Sequence, residues 1–189
     1  MTETPNPYIV DADTLTGELH PIRRGVLALG SNLGDRFATL QGAVAALADT
    51  PQVHVVAASP VYETAPVDSP PGARDFLNAV LLVDTTLSAH RLMERCLAVE
   101  DAFARERGAA RNAPRTLDVD LLVLGDRQAE RDDLTLPHPR AHERAFVLRP
   151  WLDVDPEAEI PGQGRVADLL GKLDGEGVRR RDDLVLERP

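Results

Sequence analysis

The chain has 189 residues, and 21 basic residues against 31 acidic ones leave a net charge of −10. Such a surface repels polyanions, which argues against a nucleic-acid or anionic-membrane partner. The longest unbroken apolar run, Ala43 to Ala48, is far short of a membrane span, and the single cysteine, Cys96, allows neither an internal disulfide nor a multi-cysteine metal site.

Apolar residues make up 43% and charged residues 28%, so one compact domain in a soluble, cytoplasmic protein is expected. No apolar h-region follows Met1, so no secretory signal is expected. Lys172 is the only lysine, and in a chain so rich in arginine the clustering of arginines says more than their number.

Residues 1–24 are polar, contain three prolines and show no sustained period, so they read as an extension. The core domain is expected over residues 25–175, with residues 176–189 as a tail. Val26-Leu27-Ala28-Leu29, closed by Gly30-Ser31-Asn32, has the form of a buried strand running into a turn. Asp35 then caps a helix with Phe37, Leu40, Val44 and Leu47 along one face. The valine-rich stretch Val53 to Tyr62 predicts one strand, Thr64 to Arg74 a proline-containing loop, and Phe76 to Thr86 a strand covered on both faces at Ala79 to Val83.

Ser88 is placed to cap a helix running to about Arg107, with Leu92, Cys96, Val99 and Phe103 on its buried stripe. After a loop at Gly108 to Pro114 comes a strand, Leu117 to Leu124. Strand alternation turns Leu117, Val119, Leu121 and Val123 to one face and Asp118 and Asp120 to the other. A short helix is expected within Arg140 to Trp151, and one amphipathic turn at Val166 to Leu170. The order β-α-β-β-α-β predicts an α+β, ferredoxin-like sandwich: a mostly antiparallel sheet with helices packed on one face.

Residues 105–115 hold four arginines and one acid, a local charge of +3 in an acidic protein. Alone, the run reads equally as a solvated loop. Asp118 and Asp120 on one strand face either decorate the surface or hold a divalent cation. Beside the arginines, such a pair suits a polyphosphate, because the metal bridges phosphate oxygens while guanidinium groups bind the remaining charge. No Gly-x-x-x-x-Gly-Lys-Ser/Thr motif is present, so the site is not a P-loop. His138 is either a phosphate donor or a structural loop histidine. Asn78, inside an apolar strand, is either satisfied by backbone or offers its donor and acceptor to the edge of a heterocycle. Phe76 and Phe146 are two of only seven aromatics and either fill the core or flank a flat ring.

Five blocks occur in order: Leu27-Ala28-Leu29-Gly30-Ser31-Asn32-Leu33-Gly34, Tyr62-Glu63-Thr64-Ala65-Pro66, Phe76-Leu77-Asn78, Pro114-Arg115-Thr116-Leu117-Asp118-Val119-Asp120 and Leu136-Pro137-His138-Pro139. Together, over about Val26 to Pro161, the chain resembles the 6-hydroxymethyl-7,8-dihydropterin pyrophosphokinases of folate biosynthesis. That resemblance implies transfer of the pyrophosphoryl group of ATP to the pterin hydroxymethyl, with release of AMP. It implies two Mg²⁺ ions held by Asp118 and Asp120, with Arg105 and Arg115 acting on the phosphates beside them. It places ATP against Glu100, Arg107, Arg111, Arg115, Thr135, His138 and Arg144. It places the pterin against Thr64, Ala65, Val67, Phe76, Asn78 and Phe146. The partners so implied are these two small molecules; a monomer is expected separately, because the sequence shows no long apolar stripe that demands a partner.

The chain departs from the family pattern at Asn112, which stands in place of a tryptophan, at Ala104 in place of glycine, and at Leu97 in place of a polar residue. Pro60 to Arg74 and Gly108 to Pro114 are the candidate lids, poor in apolar anchors. Two rival readings use the same residues: a non-catalytic nucleotide sensor, and a transferase that moves only the γ-phosphoryl group and releases ADP.

Overall fold

The computed structural model describes residues 10–12, 19–66, 71–103, 116–175 and 177–189, with side chains from residue 20 onward. A hairpin of β1 (Val10–Ala12) and β2 (Leu19–Pro21) precedes the main sheet. That sheet is antiparallel throughout and is built on β6 (Phe76–Thr85). One edge of β6 pairs with β3 (Arg23–Ser31), which in turn pairs with β7 (Asp118–Leu124). The other edge pairs with β4 (Val53–Ala58) and with β5 (Tyr62–Thr64).

The single strand expected over Val53 to Tyr62 is thus two. Pro60 has no N–H to give the ladder. Ser59 stitches the break, its N–H donating to the Val80 carbonyl at 2.9 Å and its hydroxyl accepting from Val80 N at 2.8 Å.

Helices α1 (Arg36–Ala48) and α2 (Ala89–Phe103) cover one face. Asp35 caps α1 by accepting from Ala38 N, and Ser88 Oγ accepts from Arg91 N at the start of α2. Their stripes, Leu40, Val44 and Leu47 with Leu92, Cys96 and Val99, close on Leu27, Leu29, Leu77, Ala79, Leu81 and Val83. Leu27, Leu40, Leu81 and Leu92 are fully buried, and shortening any one to alanine costs about 2–5 kcal/mol.

The expectation of helices on one face only is corrected by α3 (Ala145–Val154) and α4 (Val166–Leu170), which cover the opposite face. There Val147, Leu148, Trp151, Val166 and Leu169 pack on Val26, Val80, Leu82, Leu122 and Val123. The cause is visible in β6, where apolar residues face both ways and each face needs a cover. Two small hairpins, β8 (Ala129–Arg131) with β9 (Leu134–Leu136) and β10 (Glu159–Ile160) with β11 (Gly164–Arg165), connect these parts.

A second correction lies in β7. Val26 pairs with Val123 and Leu27 with Leu121, so Leu122 is the extra residue of a bulge. The bulge reverses the alternation: Leu121 stays on the α1/α2 face, whereas Val123 joins the α3 face.

The last residues, set apart above as a tail, return to the sheet. Strand β12 (Val178–Arg180) pairs with β5, and beyond it Leu186 enters the core at 8% exposure.

Candidate active site

The register of the central strands sets the site. Asn78 on β6 pairs with Gly30 on β3, and Gly30 pairs with Asp118 on β7; in the next row Val80, Ala28 and Asp120 align. Cross-strand partners share a face, so the amide and both carboxylates lie on the α3 face, with Asn78 and Asp118 Cα atoms about 10 Å apart. Between them Gly30 keeps the floor low. A Cβ there would stand 3.3 Å from Asn78 Oδ1 and 3.7 Å from Phe76 Cδ1. Asn78 is 6% exposed and its Nδ2 donates to Thr64 Oγ1 at 2.8 Å, which fixes the amide plane. Phe76 is two residues from Asn78 on the same strand face, and Phe146 lies in the first turn of the helix that covers this face.

The acidic side is braced from the free edge of β7. Glu100 Oε1 accepts a hydrogen bond from Val119 N at 2.7 Å, between the two aspartates. The Leu122 carbonyl, at the bulge, accepts from His138 N at 2.8 Å. This sets His138 Nε2 3.9 Å from Asp120 Oδ2, with Arg144 Nη1 at the same distance. Burial lowers the His138 pKa; Asp120 opposes the shift, while Arg144 and Arg140 reinforce it, which favours the uncharged ring. The Arg144 guanidinium also sits 5.7 Å from the Phe146 ring centroid. One arginine therefore spans the acidic pair and the aromatic wall.

Thr64, Phe76 and Asn78 thus gather on one side of the floor and Asp118, Asp120, His138 and Arg144 on the other, with Phe146 beside Arg144 and Glu100 reaching the edge of β7 from α2. Thr135 is exposed on β9, its hydroxyl turned to the Arg131 carbonyl at 3.4 Å, and Ala65 is exposed beside Thr64. Leu97 is 51% exposed on α2. Val67, Arg105, Arg107, Arg111 and Arg115, with Ala104, Asn112 and the candidate lid 108–114, lie outside the described residues. The other candidate lid, Pro60 to Arg74, needs correction at its start, because Val61 to Thr64 are buried and Tyr62 to Thr64 pair within the sheet. The spacing arguments missed the spacer role of Gly30, the Glu100 brace and the bulge carbonyl. The glycine at the end of an apolar strand was the only available signal.

Among the described residues, no group of three or more His, Cys, Asp or Glu is arranged to hold a metal ion. The two carboxylates fit Mg²⁺ in another way, because that ion binds through one or two carboxylates and leaves its remaining positions to water and substrate phosphates.

The architecture is that of a ferredoxin-like α+β sandwich. Residues 26–156 match the family described as 7,8-dihydro-6-hydroxymethylpterin-pyrophosphokinase (HPPK), and the chain belongs to that family. Among similar proteins is the 2-amino-4-hydroxy-6-hydroxymethyldihydropteridine pyrophosphokinase of Methylorubrum extorquens, 44% identical over 160 residues, covering 83% of this chain and 98% of that one. The protein of the same name from Mycobacterium tuberculosis H37Rv is 41% identical over 179 residues, 88% of this chain and 90% of that one. A solved Plasmodium falciparum HPPK-DHPS triple mutant with SDX-DHP has a TM-score of 0.63 at 15% identity, over 84% of this chain and 45% of that one. An HPPK-DHPS in complex with substrates gives 0.62 at 12% identity, over 80% and 43%. The chain spans less than half the length of these two solved chains, and the likeness to them is one of fold.

Proposed function

We propose that this chain transfers the pyrophosphoryl group of ATP to 6-hydroxymethyl-7,8-dihydropterin, giving AMP and the pterin diphosphate, a step of folate biosynthesis. The observation that supports the reading is the row Asn78–Gly30–Asp118, in which the Asn78 amide stands across a glycine from the acidic pair. The Asn78 amide, held by Thr64, hydrogen-bonds the pterin edge, while Phe76 and Phe146 stack on its faces and Ala65 and Val67 line the rim. Enclosed between them, the pterin hydroxymethyl points towards Asp118 and Asp120.

Asp118 and Asp120 hold Mg²⁺, two ions in this reading, whose chemistry is to neutralise charge on the triphosphate. Neutral His138 donates a hydrogen bond to a phosphate oxygen, and Arg144 pairs with phosphate once its charge is drawn from Asp120. Glu100 keeps the two carboxylates aligned through Val119 N and faces the nucleotide, and Thr135 contacts ATP from β9. Arg105 and Arg115 act on the developing charge, and Arg107 and Arg111 close on the nucleotide.

The hydroxymethyl oxygen attacks the β-phosphorus, and a new O–P bond replaces the bond to the α–β bridging oxygen. The electron pair leaves with AMP, and the hydroxyl proton goes to solvent or a phosphate oxygen. Among the described residues no side chain is placed as a general base, so positioning and electrostatics carry the rate.

The reading includes a monomer in the cytoplasm. Its support is that, among the described residues, the exposed large apolar side chains are the separate Leu97 and Val185, and no helix is long and apolar enough to cross a membrane. The test is consumption of 6-hydroxymethyl-7,8-dihydropterin by the purified chain. It should require both ATP and a divalent cation, and consumption indifferent to a chelator would remove the carboxylate pair from the account.

A further inference from the structure

Strand β5 is three residues long, yet it carries an unusual charge cluster. Tyr62 and Thr64 face α3 and Asn78, so Glu63 between them faces α1. Its carboxylate is 8% exposed and receives three guanidinium groups. Arg36 Nη1, from the first turn of α1, donates to Oε1 at 2.8 Å, and Arg181 Nη1 donates to Oε2 at 3.0 Å. Arg179 Nη2 donates to Oε2 as well.

Arg36 does more than pair. The same Nη1 donates to the Asp75 carbonyl at 2.8 Å. One nitrogen therefore ties the residue before Thr64 to the residue before Phe76. Those ties sit at the ends of the two strands that carry Thr64 on one side and Phe76 and Asn78 on the other.

Of the outer arginines, Arg179 lies on the C-terminal strand and Arg181 directly follows it. Val178, Arg179 and Arg180 pair with Thr64, Glu63 and Tyr62, and Arg181 N donates to the Val61 carbonyl at 2.8 Å. Further along, Gln41 on α1 exchanges two hydrogen bonds with the Glu187 backbone, at 2.8 and 2.9 Å. The C-terminal members of these contacts, residues 178–187, lie beyond residue 156, where the family match ends.

We propose that the Arg36–Glu63–Arg181 cluster positions the pterin subsite, and that the C-terminal strand Val178–Arg180 belongs to that subsite's frame. The proposal rests on the reading of Thr64 and Asn78 as pterin contacts. Its physical basis is that the Thr64–Asn78 hydrogen bond holds only while β5 keeps its place. Removing the Glu63 charge leaves three guanidinium groups around a neutral centre, where among the described residues only Arg181 keeps a second carboxylate, Asp183, to which it donates at 2.7 and 2.8 Å. They spread, β5 follows, and the amide loses its fixed plane.

Steady-state kinetics of full-chain variants test this. Glu63→Gln and Arg36→Ala should each raise KM for the pterin about tenfold while KM for ATP moves by less than about twofold. Arg36→Lys should restore most of the loss, since an ammonium still donates to both Glu63 and Asp75. Asn78→Ala serves as the reference and should raise the pterin KM directly. A raised pterin KM in Asn78→Ala with none in Glu63→Gln overturns the positioning role and leaves the site standing. An unchanged pterin KM in Asn78→Ala overturns the reading of the site, and the proposal with it. Equal rises in both KM values would mark a general structural effect and also overturn the proposal. Should Glu63→Gln fail to fold, Arg181→Ala carries the test with the same outcomes.

Discussion

Asn78 and Asp118 stand on opposite sides of Gly30, each paired with it in the same row of the sheet. The Asn78 amide and the first carboxylate of the acidic pair are therefore spaced by two strand separations and by the absence of one side chain. Three strands share that spacing, so no movement of a single loop sets it.

Gly30→Ala probes the floor. The new Cβ would lie 3.3 Å from Asn78 Oδ1, and the amide, tethered to Thr64, has to give by a few tenths of an ångström. The pterin KM should rise roughly three- to tenfold with the ATP KM nearly unchanged, because a displaced contact is felt at its own substrate. An unchanged pterin KM, measured by initial rates at saturating ATP, would show that the floor is not where the ring lies.

The acidic pair answers to a different readout. Asp118→Ala or Asp120→Ala should cut kcat by about 100-fold or more, as loss of a group that holds transition-state charge does. The melting temperature should stay close to that of the parent chain, since Asp120 is 43% exposed and neither side chain is in the core. Near-normal turnover in either variant would remove the pair from the mechanism.

Acid should release the C-terminal strand. Burial works to raise the Glu63 carboxyl, but hydrogen bonds from Arg36, Arg179 and Arg181 outweigh it and hold its pKa below the ordinary value. A carboxyl depressed in the folded state stabilises above its unfolded pKa of about 4.3, and the contribution is lost as pH falls through the folded value. The urea midpoint of the parent chain should therefore fall more steeply below about pH 4.3 than that of Glu63→Gln. Parallel curves would deny the carboxylate its stabilising role.

Alkali acts through Cys96. The thiol is 1% exposed, and burial, with Glu100 and Asp120 adding to it, pushes its pKa up to about 12. The unfolded thiol ionises near 8.5, so stability should decline as pH rises from about 8.5 towards 12. At pH 8 a disulfide reagent should label the native chain only as fast as it opens. Complete labelling within seconds in native buffer would contradict the burial.

What the sequence made legible follows the range of the forces involved. The Asp35 and Ser88 caps, the two helix stripes and the shared face of Asp118 and Asp120 depend on residues within four positions of each other. All of these can be read from spacing. The Leu122 bulge cannot, because it arises where β3 and β7 keep register while both faces of the sheet are filled. Nor can the break at Pro60 be placed without its partner Val80, or the Glu63 cluster without strands more than a hundred residues apart. Within the site, Asn78, Asp118 and Asp120 stood out as polar residues in apolar strands. Gly30 and the Glu100 brace act through space and backbone, where composition carries no mark.

The most direct test of the account is the nucleotide product. The chain incubated with ATP, Mg²⁺ and 6-hydroxymethyl-7,8-dihydropterin should form AMP and pterin diphosphate in equal amounts, resolved by chromatography and phosphorus NMR. ADP with a pterin monophosphate would place the attack on the γ-phosphorus and contradict it. Tight binding of ATP with no product would contradict it as well, leaving a nucleotide sensor in place of an enzyme.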